Sequence, residues 1–265
     1  ESYNSDVNAE LNRAIDWLKS HGIERVIVTG DFYLSAQMIG ADTSDFFPAL
    51  EDEAKGFEIA HDWSQTARRL NDEFEISVGF VNGKRCLGGM LELMMHCHFL
   101  VAVEDADLGM PEVTLPVVPG MEGCHWPFRK TNAKNWPNLV RLLLEGRSVK
   151  AKDSVGWLAD YAGSMNDALA TVWKIATDAD HGLKKRSVEE EALKGVAEDV
   201  SGLAAAGDPV IETARLAILN NIRSACQVTL SEALATQAKY SAGFMSSKEC
   251  QKGMIGAAFT KTMKV

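Results

Sequence analysis

Residues 81–123 decide the fold of this chain, and they read VNGKRCLGGMLELMMHCHFLVAVEDADLGMPEVTLPVVPGMEG. Neither Gly88 nor Gly89 has a Cβ atom, so a ligand can approach the backbone closely at this pair. The residues that follow are apolar all round a helix, which predicts that this helix is buried. Glu92 lies within it, and a carboxylate taken out of water is costly unless it is paired or hydrogen-bonded. Glu92 is therefore a candidate functional residue, with an ion pair to Arg85 as the alternative.

A second candidate carboxylate, Glu112, follows a predicted short buried strand at residues 99–103. It comes directly after Pro111, which restricts the backbone at that point. A glutamate after a proline also commonly begins a helix or turn, so Glu112 taken alone is weak evidence for a site. Together with the glycine pair, the two glutamates predict a site that combines backbone N–H groups at a helix start with two carboxylates.

The spacing of short motifs along this stretch resembles the crotonase, or enoyl-CoA hydratase/isomerase, superfamily. The family pattern is kept in order and without gaps by Val81-Asn82-Gly83, Leu87-Gly88-Gly89, Glu92-Leu93, Asp105-Ala106, Leu108-Gly109, Pro111-Glu112 and Pro119-Gly120. The resemblance implies an α/β fold with a crotonase-like ββα spiral core at residues 1–135. It also implies a helical C-terminal region at residues 136–265 that mediates oligomerisation.

The resemblance further implies which residues form the site. Glu92 and Glu112 are implied as the catalytic pair that holds a water molecule, with Glu112 delivering a proton to Cα. The N–H groups of Ala41 and Gly89 are implied as an oxyanion hole for the thioester oxygen. The implied substrate-binding residues are Gly40, Asp42, Gly88, Gly120 and Met121.

The segment before Ala41 departs from the family pattern. Crotonases have Phe-Ser-Ala-Gly-Ala-Asp there, and matching Gly40-Ala41-Asp42 to its end leaves Gln37-Met38-Ile39 as an insertion after Ser35-Ala36. The alternative for this segment is a surface loop capped by Asp42.

The implied activity is enoyl-CoA hydratase, which adds water across the 2,3-double bond of a 2-enoyl-CoA thioester. Both glutamate positions are filled, which favours this reaction over an enoyl-CoA isomerase or another crotonase-type reaction. A non-catalytic crotonase module kept for assembly is the third alternative. The implied chemistry needs no metal and no redox cofactor, since coenzyme A enters as part of the substrate.

The resemblance implies a homotrimer or a dimer of trimers. It also leads us to expect part of a longer polypeptide, because the N-terminal β region of crotonases is not recognisable here. A fused or associated 3-hydroxyacyl-CoA dehydrogenase is one such arrangement.

The composition excludes several other classes. A net charge of −10 argues against a general nucleic-acid binder, which needs a basic surface. No apolar run approaches the roughly 20 residues of a membrane span, and no secretory signal is recognisable. The five cysteines form no CxxC pair, which predicts reduced thiols in a cytoplasmic protein rather than a zinc site or disulfide framework.

Local patterns complete the sequence-based predictions. Asn4 predicts the start of a helix that ends near His21, and β-branched residues predict a strand at 25–30. Helices are also predicted at 152–161 and 188–200. The remaining histidines and basic residues are interpreted as local structural residues (His96, His98) or as lining or covering an acyl pocket (His125, Trp126, Arg129).

Overall fold

The computed structural model describes residues 2–32 and 37–263, which form eight strands and ten α-helices. The strands are β1 Arg25–Thr29, β2 Gln37–Met38, β3 Ile76–Val81, β4 Arg85–Leu87, β5 Phe99–Val103, β6 Asp107–Gly109, β7 Val149–Lys150 and β8 Tyr161–Gly163. The helices are α1 Ser5–Ser20, α2 Glu53–Asp72, α3 Gly88–Met95, α4 Trp126–Arg129, α5 Trp136–Glu145, α6 Met165–Ala176, α7 Pro209–Cys226, α8 Leu230–Met245, α9 Lys248–Gln251 and α10 Met254–Met263.

The chain divides into two compact units that alternate along the sequence. The first, which we call the sheet unit, consists of Glu1–Ala41, Gln65–Gly109 and Ser148–Val188. The second, which we call the helical unit, consists of Asp42–Ser64, Met110–Arg147 and Glu189–Val265. The division predicted at residue 136 cuts the chain into two continuous segments, whereas each of these units consists of three segments. The predicted division stays a prediction.

The sheet unit contains two four-stranded sheets. One has the order β1-β3-β5-β8 and is parallel throughout. The other has the order β2-β4-β6-β7, with β7 antiparallel to β6 and the other pairs parallel. Short strands that alternate between two sheets, joined by turns and helices, confirm the predicted α/β spiral.

Apolar side chains of β3 and β5 meet α6 in the core of the sheet unit. Strands of a parallel sheet that is covered by helices consist of nearly continuous apolar residues, and β3 and β5 follow this pattern. Removing this apolar surface from water stabilises the unit by roughly 25 cal/mol per Å². The buried residues of this core are Val78, Phe80, Phe99, Val101, Ala168, Val172 and Ile175.

The helical unit is built on the packing of α7 against α5 and α8. Pro209 begins α7 after Asp208, whose side chain accepts from the N–H of Val210 and so caps the helix. Thr229 and Glu232 form a reciprocal capping box at the start of α8. These capping signals fix the residues at which α7 and α8 begin.

Two predicted helices are wrong. Residues 152–161 form a short 3-10 helix, Ala151–Ser154, followed by a turn and the start of β8. Residues 188–200 lack regular secondary structure, although Leu193, Val196 and Ala197 are buried. In both cases tertiary contacts overrode a helix propensity that is a weak predictor by itself.

His98 has the local structural role that was predicted for it. Its backbone N–H donates to Ser77 Oγ at 3.0 Å, and its Nδ1 accepts from the Ser77 N–H at 3.0 Å. His96 lies at the end of α3, where its Nδ1 lies 2.8 Å from the Glu92 carbonyl oxygen. A carbonyl oxygen only accepts, so His96 carries a proton on Nδ1.

No helix in the part of the chain that the structure describes is long and apolar enough to cross a membrane.

All five cysteines are buried, and burial raises the pKa of several of them. The pKa is raised to about 12 for Cys226 and to about 11 for Cys250, and that of Cys86 is raised as well. Because only the thiolate is nucleophilic, we expect a chromogenic disulfide reagent at about pH 8 to label the unfolded chain but not the native one. Labelling of native protein at the rate of a free thiol contradicts this expectation.

Because of the same thiols, we expect the free energy of unfolding to fall as the pH becomes alkaline. Their folded pKa values lie above the ordinary value of 9.0, so their contribution is complete below pH 9.0. It is lost as pH rises towards the folded values. Denaturant titrations across this range measure the fall, and Cys250→Ala should make the fall shallower.

Candidate functional site

The two glycine segments predicted to carry the site lie next to each other in the sheet unit. A methyl group placed on Gly40 would lie 3.2 Å from the Leu87 carbonyl oxygen and 3.8 Å from the Gly89 nitrogen. Gly40 has φ +96° and Gly88 has φ +52°, both in the region that favours glycine. The backbones approach this closely because neither glycine carries a side chain.

Strand pairing explains this approach. β2 pairs in parallel with β4, with Met38 opposite Cys86, so both strands deliver their following residues to the same edge of the sheet. The apparent insertion Gln37-Met38-Ile39 therefore supplies strand β2 itself. Ser35 and Ala36 lie outside the described residues.

Gly88 and Gly89 are the first two residues of α3. The residue before the helix, Leu87, makes no side-chain cap. The first N–H groups of a helix have no partner within the helix, and they lie at its positive end. The start of α3 thus presents backbone donors without competition from a capping side chain.

Glu92 lies one turn further along the same helix and is only 2% exposed. The surrounding face is apolar, with Leu91, Leu93 and Met94 buried as the sequence predicted. The sheet unit therefore brings together the glycine pair, Gly40 and a buried carboxylate.

Ala41 and Asp42 follow Gly40 in different roles. The backbone of Ala41 forms an isolated parallel bridge with Tyr3, whose N–H donates to the Gly40 carbonyl at 2.8 Å. Asp42 caps a 3-10 helix at Thr43–Leu50 by accepting from Ser44, and these hydrogen bonds lower the pKa of its carboxyl group. Asp42 is therefore a cap, but the alternative of a surface loop is wrong for Gln37–Met38, which form β2, and the substrate-binding role of Asp42 stays a prediction.

The helical unit holds the remaining predicted residues. Glu112 lies in the 3-10 helix Pro111–Thr114 and is 8% exposed. Its carbonyl oxygen accepts from two backbone N–H groups, those of Leu115 and Val117. Gly120 and Met121 follow in the next loop, where Met121 is buried.

A buried polar chain that was not predicted follows this loop. Glu122 Oε2 lies 2.6 Å from His125 Nε2, and both side chains are fully buried. Arg129 Nε donates to His125 Nδ1 at 2.9 Å. Since a guanidinium only donates, His125 Nδ1 is the acceptor of this bond. The three residues therefore form a buried Glu–His–Arg cluster in which the imidazole lies between the carboxylate and the guanidinium.

The guanidinium of Arg129 uses its other N–H groups on four backbone carbonyls. Nη1 donates to Glu189 and Glu191, at 3.1 and 2.9 Å. Nη2 donates to Ala225 and Val228, at 2.8 and 2.7 Å. A buried charge is tolerated when its donors are all engaged, as they are here. The i,i+4 spacing of His125 and Arg129 is the sequence signal for their contact, whereas Glu122 lies outside α4 and carries no such signal.

The sheet unit also has an open cleft of about 580 Å³ where β1, β3 and β5 end. Its polar walls carry both signs of charge, and Lys150 Nζ is 2.7 Å from Asp107 Oδ1. The cationic residues of the cleft are Lys84, Arg85 and Lys150. Among residues 2–32 and 37–263, no group of three or more His, Cys, Asp or Glu side chains is arranged to hold a metal ion.

This arrangement of two spiralling sheets, glycine turns and a short buried helix is that of the crotonase fold. The solved structure of a carnitinyl-CoA dehydratase from Mycobacterium thermoresistibile is similar over 100% of this chain and 83% of its own, with a TM-score of 0.68 and 14% identity. Identity at that level supports the shared fold alone.

Sequence comparison finds named relatives over about half of the chain. No family model matches the chain. A Bacillus subtilis protein named probable enoyl-CoA hydratase is 32% identical over 121 residues, which cover 45% of this chain and 45% of that protein. The fatty acid oxidation complex subunit alpha of Idiomarina loihiensis is 31% identical over 151 residues, 55% of this chain and 20% of that protein. The chain thus spans less than half the length of these relatives. Over about half of its length the chain is therefore similar to proteins named as enoyl-CoA hydratases or fatty acid oxidation subunits, in agreement with the crotonase resemblance of its motifs.

Proposed function

We propose that this chain is an enoyl-CoA hydratase, which adds water across the 2,3-double bond of a 2-enoyl-CoA thioester. The observation that carries the proposal is the close approach of Gly40 to Gly88 and Gly89, with buried Glu92 on the same helix. The name of the Bacillus subtilis relative supports the same reaction.

The backbone donors act on the thioester oxygen. Attack of water at Cβ moves negative charge onto that oxygen, where preorganised N–H groups stabilise it by roughly 3–4 kcal/mol each. The proposed donors are the N–H groups of Ala41 and Gly89. Gly89 also benefits from the positive end of α3.

The two glutamates divide the proton transfers. Glu92 is proposed to orient and deprotonate the attacking water, and Glu112 to deliver a proton to Cα. General acid–base catalysis by such groups contributes about 10²–10⁴-fold in rate. Coenzyme A is bound as part of the substrate, and the proposed reaction requires neither a metal nor a redox cofactor.

Hydration of crotonyl-CoA tests the proposal directly. Water addition breaks the conjugation with the thioester, so absorbance falls and a 3-hydroxyacyl-CoA appears by mass spectrometry. A 3-enoyl-CoA offered separately tests for isomerisation, which would raise the absorbance. Inactivity on crotonyl-CoA and on longer 2-enoyl-CoAs contradicts the hydratase proposal, and inactivity on every substrate favours an assembly module.

The proposal includes a homotrimer or a dimer of trimers. Large apolar side chains that support it are exposed on the helical unit, at Leu216, Tyr240 and Met254. We expect light scattering at micromolar concentration to give three or six times the chain mass. A stable monomer under those conditions contradicts the expectation.

We also propose that the chain works beside a 3-hydroxyacyl-CoA dehydrogenase, either fused or associated. The similarity to a fatty acid oxidation complex subunit, of which this chain matches 20%, supports this arrangement. Such an enzyme would consume the 3-hydroxyacyl-CoA that the proposed hydration forms. Co-purification from the source cells tests the association.

A further inference from the structure

Residues 118–122 form a loop that we call the 118–122 loop. Side chains from distant helices of the helical unit hold it in place. Ser241 Oγ on α8 donates to the Val118 carbonyl at 3.0 Å. Ser64 Oγ on α2 lies 3.0 Å from the Gly120 carbonyl. The N–H of Glu122 donates to Gln237 Oε1 at 3.3 Å. The single hydroxyl proton of Ser64 is shared with the Ala60 carbonyl at 2.6 Å, so the direct bonds to the loop are those at Val118 and Glu122, with a further contact at Gly120.

Gln237 is the centre of this arrangement and is fully buried. Its Nε2 donates to Ser64 Oγ at 2.9 Å and lies 3.3 Å from the Leu234 carbonyl. A backbone N–H only donates and a carbonyl only accepts, so Glu122 on one side and Leu234 on the other fix the orientation of the amide. Gln237 therefore holds the loop both directly and through Ser64.

The loop has little room to move against these helices. A methyl group placed on Gly120 would lie 3.2 Å from Ser241 Oγ and 3.6 Å from Ala60 Cβ. Glycine therefore lets the loop lie against α8 with little space for a side chain, and a shift of the loop away from α8 would break the hydrogen bonds.

The backbone of Glu122 needs restraint of this kind. Its φ is +72°, in the left-handed region that non-glycine residues rarely adopt. Such conformations are strained and persist only where the surroundings hold them. The restraints here are Gln237 on the N–H and His125 on the side chain.

From these contacts we infer that Gln237 is a positioning residue for the acyl-CoA site, acting through the 118–122 loop. The inference rests on the proposed function, because the crotonase resemblance implies that Gly120 and Met121 of this loop bind the acyl-CoA substrate. Gln237 lies on α8, more than a hundred positions away from the loop in the sequence.

Gln237→Met tests the inference, because methionine keeps the length of the side chain and removes its hydrogen bonds to Glu122, Ser64 and Leu234. Hydrogen exchange of the 118–122 peptide should accelerate, while exchange of β3 should stay as in the wild type. Displacing groups by about 1 Å can cost 10²-fold, so we expect kcat/KM to fall by roughly tenfold to 10²-fold, mainly through a higher KM. KM is expected to change most because the loop carries the predicted substrate-binding residues and not the proposed catalytic residues Glu92 and Glu112.

Asn221→Ala is the matched control. Asn221 is fully buried on α7, and its Nδ2 lies 3.4 Å from the backbone carbonyl of Gln237, so the variant perturbs α8 without touching the loop. It should lower thermal stability and leave KM and loop exchange unchanged. Ser241→Ala, which removes the bond to Val118, should repeat the effects of Gln237→Met on a smaller scale.

The outcomes separate this inference from the proposed function. Unchanged loop exchange in Gln237→Met overturns the inference, as does exchange that rises equally in β3 and the loop. If loop exchange accelerates in Gln237→Met but its KM equals that of the Asn221→Ala control, the proposed link between the loop and substrate binding is overturned. If the wild type shows no activity on any 2-enoyl-CoA, the proposed function fails, and the exchange measurement still decides whether Gln237 positions the loop.

Discussion

Glu112→Gln and Glu92→Gln are each expected to lower the kcat of crotonyl-CoA hydration by about 10²–10⁴-fold, the usual contribution of general acid–base catalysis. Glutamine keeps the size of the side chain and most of its hydrogen bonds, but it cannot transfer a proton. Acyl-CoA affinity should therefore change little. Rapid-mixing kinetics and isothermal titration with a saturated acyl-CoA measure the two quantities separately.

Glu145→Gln provides the control for these variants. Glu145 is half-buried at the end of α5, and the proposed mechanism gives it no role. It should retain wild-type kcat. Wild-type kcat in Glu92→Gln or Glu112→Gln shows that the role assigned to that glutamate is wrong. A fall in kcat that only matches a loss of folded protein points to a structural glutamate instead.

Gly89→Pro is expected to lower kcat by roughly 10²–10³-fold, as loss of one oxyanion-hole donor does in other enzymes. Gly89 is the second residue of α3, a position where the N–H has no intrahelical partner and proline is tolerated. The substitution therefore removes the proposed donor while sparing the helix. Single-turnover kinetics measured beside thermal unfolding separates the two effects.

Gly89→Ala is the matched comparison for this position. It keeps the N–H but adds a methyl group where the thioester must approach, so it should mainly weaken substrate binding. If Gly89 serves packing alone, both variants melt early and the remaining folded protein works at the wild-type rate. That result would require another origin for the oxyanion hole.

Much of the sheet unit could be predicted from local sequence. The predicted strand at 99–103 matches β5, and the predicted strand at 25–30 ends within one residue of β1. Asn4 caps α1 as expected, because its side chain accepts from the N–H of Val7. These segments have strong periodicity or capping signals, and their propensities agree with their burial.

The helical unit was harder to predict, since long-range contacts decide its structure. Residues 188–200 contain helix-forming residues, yet backbone groups at 189 and 191 bond instead to Arg129. Gln237 carries no motif, and its importance depends on Ser64 and Glu122, which are distant in sequence. Spacing alone does not reveal such pairs, because the resemblance covers motifs and not the side chains that support them.

The bonds of Arg129 make parts of the chain dependent on one another. Residues 189–191, the end of α7 and the turn before α8 all supply carbonyl oxygens to one guanidinium. A shortened protein that stopped before residue 189 would lose all four of these acceptors, together with α7 and α8. The irregular segment alone supplies two of the four acceptors of this buried cation, so we expect a minimal version of this protein to need it.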